Sequence, residues 1–112
     1  VAQSPADGYT LLLSNTAPIA TSPPLYGNPG YDPLRSFTHV AFLGATTMVV
    51  VTNLSVPARD MAGLMAWMRA QAQPVTFGSS GVGSVGHILG SMFAAQTGIA
   101  LNHAPYRGSV PM

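Results

Sequence analysis

The chain has 112 residues, enough for one small domain, and a net charge of +1 from scattered Arg and Asp with no Lys and no Glu. Only 6% of it is charged, against roughly 25% in ordinary soluble domains, which argues against nucleic acid or an anionic membrane surface as a partner. Cysteine is absent, so disulfides and thiolate metal sites are excluded.

The opening residues "VAQSPADGYT" lack the basic and apolar regions of a signal peptide. Asp7-Gly8 supplies a turn, and the apolar run that follows predicts a strand over 10–13 buried on both faces. Ser14-Asn15-Thr16 then reads as a loop or helix N-cap. At most a short helix fits before Pro23-Pro24, and Asn28-Pro29-Gly30 and Tyr31-Asp32-Pro33 favour turns.

From Ser36 to Ala58 no residue is formally charged, which invites a membrane-span reading. The run holds Gly44, Asn53 and Pro57, and its apolar parts are short and β-branched. Two strands, near 39–43 and 47–52, explain it better. Met61, Leu64, Met65 and Met68 fall at helical spacing, with Asp60 as cap and Pro74 as the stop. Their Met stripe is read as a core face, and Trp67 as a packing residue near an edge.

"PVTFG" predicts a short strand, and a helix follows from about Ser84 to Thr97, ending at Gly98. "IALNHAPY" is another strand with its exit. "RGSVPM" resembles a new helix start with Ser109 as cap. This order is the grammar of a parallel α/β sheet. A helix ending in its first turn, and an opening strand with no βα unit before it, lead to the expectation that the chain is cut at both ends.

The stretch "GSSGVGSVGH" (78–87) joins the third-quarter strand to its helix. Gly81, Gly83 and Gly86 spell the G-x-G-x-x-G of a dinucleotide-binding turn, so an NAD(P)-binding enzyme is one reading. The acidic residue that should follow about 20 positions later is missing, since no Asp or Glu occurs after Asp60. Serine hydrolysis lacks the G-x-S-x-G pattern, and no second-half carboxylate orients His87 or His103. A metal would need those two histidines to converge with a third ligand. Two alternatives remain open. Ser79, Ser80 and Ser84, with amides freed by Gly81 and Gly83 at a helix N-terminus, form an anion cradle. Otherwise the segment is a plain Gly-rich turn with Ser84 as N-cap.

The segments "DGYTLLLSN", "YDPLRSFTHVAFLG", "VTNLSVPARDMAGLMAWMR", "VTFGSSGVGSVGHILGSMFAAQTGI" and "HAPYRGSVP" together resemble the Bug-type solute receptors of tripartite tricarboxylate transporters. The likeness runs over essentially the whole chain, and "GSSGxGSxxH … PYRG" is its most specific part. It implies an α/β fold, a fragment of a two-domain periplasmic-binding-protein-like (type II) receptor with mostly parallel sheets. Residues 1–44 would belong to the first domain, 45–51 to a strand crossing the hinge, and 52–112 to the second domain.

The resemblance further implies a periplasmic receptor, not an enzyme, that takes a small carboxylate in an interdomain cleft without a cofactor and passes it to transporter membrane subunits. Ser79, Ser80, Gly81, Gly83 and Ser84 match a ligand-facing loop of the second domain. Ser14, Asn15 and Thr16 match a first-domain loop lining the cleft. His87 matches a family histidine, with packing support and ligand linkage both open. Arg107 stands where the family commonly has Lys, and either a bidentate contact or a surface pair fits it. The family's opening βα turn would lie before Val1. For the polypeptide as it stands, a non-binding, self-associating fragment is a further reading, because its apolar surface would lack cover.

Overall fold

The computed structural model describes residues 1–112. They group into two compact units, one of residues 1–44 with 83–85 and one of 45–82 with 86–112.

In the first unit, Asp7 Oδ1 accepts from the Tyr9 N–H, closing the expected turn at Gly8. The segment at 10–13 carries no strand ladder, contrary to expectation, and Leu11 and Leu13 are about four-fifths exposed at 79% and 82%. The physical reason is the absence of a neighbour: a parallel strand exists only as one side of a hydrogen-bonded ladder. A single turn of π-helix follows at Ala17–Thr21 and runs into α1, Ser22–Tyr26. The helix therefore passes through Pro23-Pro24 instead of stopping before it. Both prolines sit in the first turn of α1, where their missing N–H groups cost nothing. Their rings crowd the carbonyls four residues back, which accounts for the wider preceding turn, closed by Ser22 N–H to Ala17 O. Farther on, Asp32 Oδ1 accepts from the amides of Leu34 and Arg35, and the Asn28 side chain from Gly30.

The second unit begins with extended chain. Neither 39–43 nor 47–52 pairs with another strand, and Val49, Val50 and Val51 are largely exposed. No helix is long and apolar enough to cross a membrane. Helix α2 spans Met61–Arg69, with Asp60 Oδ1 accepting from Gly63 N–H at 2.7 Å as its N-cap. Met68 is buried and Leu64 and Met65 half-buried, while Met61 stays exposed, so the stripe is only partly a core face. The helix ends at Arg69, before Pro74.

Strand β1 is Val75–Ser79, helix α3 is Val85–Thr97 and strand β2 is Leu101–Pro105. β1 and β2 pair in parallel, with Val75 opposite Leu101 and Phe77 opposite His103. This is a βαβ unit, the smallest piece of the expected parallel α/β architecture. Gly98 closes α3, its N–H reaching Ala94 O at 3.0 Å. α3 lies close on β1 through two glycines one turn apart: the Phe77 ring fills the space a Cβ at Gly90 would take, and a Cβ at Gly86 would meet Ser79 Cβ at 3.5 Å. The helix expected to begin at Ser109 does not form. Instead that segment is drawn along the β1 exit, with Tyr106 N–H bonding Ser79 O at 2.8 Å and Gly108 N–H bonding Ser80 O at 3.1 Å.

Candidate functional site

The sequence at 79–84 must leave a strand and enter a helix within a few residues. Gly81 and Gly83 make that possible at φ values of 137° and 79°, where an L side chain is strained. Ser79, the last residue of β1, points beneath the turn and is 1% exposed. Its hydroxyl donates to Gly81 O at 3.1 Å and accepts from Gly81 N–H at 3.2 Å, closing a small ring on both backbone groups of one residue. The same oxygen lies 2.7 Å from His103 Nε2.

Of the expected cradle residues, Ser79 is buried and its hydroxyl has three internal partners. The Gly81 N–H donates to that same hydroxyl. Gly83 is buried, its carbonyl accepts from Thr21 Oγ1, and Leu25 Cδ2 stands 3.0 Å from where its Cβ would be. Ser80 and Ser84 are partly exposed and remain the hydroxyls of the turn with access to solvent. Gly86, the third glycine of the dinucleotide-like pattern, serves helix–strand packing against Ser79.

His87, in the first turn of α3, stacks on His103 with ring centroids 4.1 Å apart and planes at 14°. On its other neighbour, Phe77, the His103 ring stacks at 4.9 Å and 25°. The three rings form a column under the β1–α3 turn. Burial first, and the adjacent His87 second, push the His103 imidazole below its ordinary value of 6.5. The two histidines thus converge, but no third His, Cys, Asp or Glu joins them to make a metal site.

The sequence alone offers His103 only as a conceivable base or metal ligand and does not reveal its support of the turn. The available signal was alternation. Phe77 and Ser79 share one face of β1, and His103 stands opposite Phe77, where His87 from the first turn of the connecting helix reaches it.

The first-unit loop is separate. Asn15 Oδ1 accepts from Ala17 N–H at 3.0 Å, capping the π-turn, while Ser14 Oγ reaches only Asn15 O, at 3.5 Å. Ser14, Asn15 and Thr16 are all exposed. Ser14 and Asn15 line an open hollow of about 470 Å³ whose apolar wall includes Leu12, Leu13, Tyr31 and Phe37. Arg107 is exposed.

Residues 1–112 match the family described as Tripartite tricarboxylate transporter family receptor, TctC. The chain belongs to the TctC family. Among its relatives, Protein BugT of Bordetella pertussis is 38% identical over 98% of this chain and 34% of its own length. The UPF0065 protein in the TAR-I ttuE-ttuC' intergenic region of Agrobacterium vitis is 32% identical over 99% of this chain and 32% of its own length. A third relative, the UPF0065 protein in the tcbD-tcbE intergenic region of Pseudomonas sp. strain P51, is 31% identical over 99% of this chain and 33% of its own. The chain therefore spans about a third of the length of these TctC relatives. No solved structure matches it.

Proposed function

We propose that this sequence is part of an extracytoplasmic, periplasmic solute receptor that captures a small carboxylate and delivers it to the membrane subunits of a tripartite transporter. The observation that carries the reading is the coincidence of the TctC match over residues 1–112 with a Gly-bent turn at the N-terminus of a 13-residue helix. The positive end of α3 favours an acid group by about 0.3–1 kcal/mol, more where water is excluded. Ser80 and Ser84 add hydroxyl donors at the same turn. His87 belongs to the support of the turn through its stack on His103, and Ser14, Asn15 and Thr16 form a second polar loop available to solute. Binding here is held by neutral dipoles, with no covalent step and no cofactor.

Calorimetric titration of the whole receptor with acetate, succinate and citrate tests this reading. Saturable heat with at least one of them is expected. No heat with any would overturn it.

A second reading concerns the 112-residue polypeptide alone, and it is favoured by the exposure of Phe42, Leu43 and Val49 to Val51. As a separate molecule this polypeptide self-associates and does not bind carboxylates well.

A further inference from the structure

His103, stacked between Phe77 and His87, meets Ser79 through its Nε2, and Ser79 in turn holds Gly81. A serine hydroxyl has one proton to donate and two lone pairs to accept with. Ser79 Oγ has three partners: Gly81 O, Gly81 N–H and His103 Nε2. Gly81 O can only accept, so it takes the hydroxyl proton. Gly81 N–H can only donate, so it takes one lone pair. The one arrangement that satisfies all three contacts has His103 Nε2 carrying a proton and donating it to the second lone pair. If His103 instead accepted at Nε2, the Ser79 proton would turn away from Gly81 O and leave two oxygens facing each other at 3.1 Å.

We propose that His103 is a positioning residue for the β1–α3 turn: as the Nε2–H tautomer it locks buried Ser79 in the orientation that clamps Gly81, and thereby sets where the amides beyond Gly81 point. The inference rests on the ligand-facing reading of that turn for its functional consequence, but the clamp itself is a property of the fold. His103 touches no ligand and acts only through Ser79. The parallel register places it there, and the stacked rings of Phe77 and His87 fix its plane so that Nε2 aims at Oγ.

Three readouts on the whole receptor test this. Long-range proton–nitrogen NMR of the wild-type side chains at neutral pH should show His103 protonated at Nε2 and bare at Nδ1. A bare Nε2 would overturn the proposal without any mutation. His103→Phe keeps a ring in the column but removes the donor, so hydrogen exchange at the Gly81 amide should rise about three- to tenfold, as for loss of one net hydrogen bond. His103→Gln, which restores an N–H near the Nε2 position, should return much of that protection. Equal exchange in wild type and His103→Phe, or no recovery in His103→Gln, would contradict the clamp. Citrate titration of the same three proteins separates the two levels. Weaker citrate binding in His103→Phe than in His103→Gln supports the positioning role, and equal binding in the two contradicts it. Absence of citrate binding even in wild type, with the tautomer and exchange results as expected, sinks the carboxylate reading and with it the functional role, while the clamp stands as structure.

Discussion

Residues 39–52 are richer in strand-forming side chains than residues 75–105, yet only the second stretch forms a sheet. In 75–105 the partner strand is supplied by the same stretch, at the end of its own crossover helix. Residues 39–43 and 47–52 have no ladder partner, and Val40, Phe42 and Val51 are each more than four-fifths exposed at 82%, 85% and 81%. Strand propensity describes fitness for a pleated, half-buried surface, and it does not create that surface. What the contrast teaches is that the βαβ unit is locally specified, whereas the extended segments depend on neighbours.

The largest effect should appear in the state of association of the 112-residue polypeptide. Exposed, unpaired β-branched chain is a template for further strands, so sedimentation should show oligomers or aggregates. Val50→Lys should shift the distribution toward monomer by placing a charge on the unpaired segment. A clean wild-type monomer would break the comparison.

Within 75–105, the closest packing is between α3 and β1. Gly90→Val forces a branched side chain into the space filled by the Phe77 ring, and should lower the unfolding free energy of the whole receptor by about 3 kcal/mol in urea titration. Gly90→Ala should cost less, because the gain of up to about 1 kcal/mol in helix propensity partly offsets the clash. Outside the sheet, Asp60→Ala removes the cap of α2 and should cost about 1 kcal/mol by the same measurement.

The smallest effect is on pH dependence. His103 prefers to stay neutral in the folded chain, where burial first and the adjacent His87 second disfavour its charged form. Its folded value lies below 6.5, so the unfolded chain binds the proton more readily. Its contribution to stability is therefore fully present above 6.5 and is lost as pH falls from there through the lowered folded value. In His103→Phe that component of the acid-side decline should vanish, as read from urea midpoints across a pH series.

Much of the second half was legible in the sequence. Asp60 before a helical apolar stripe and Gly98 after a helical run are local signals that act through neighbours a few residues away, while "PVTFG" and "LNHAP" find each other across a single crossover helix. The first half misled because its signals were non-local. The run at 10–13 reads as a two-face-buried strand, and nothing in its own residues says whether a ladder exists. The Pro23-Pro24 pair reads as a stop, but its place in a first helical turn makes it tolerated. At the candidate site, the Gly81 and Gly83 turn and its helix were visible. The inward fate of Ser79 was not, because it depends on His103 lying across the sheet, a contact 24 residues away in the chain.

The most direct measurement is amide chemical-shift mapping of the whole receptor during a citrate titration. The account predicts that the largest shifts fall within residues 80–84. Shifts that leave 80–84 untouched while citrate binds elsewhere would contradict it.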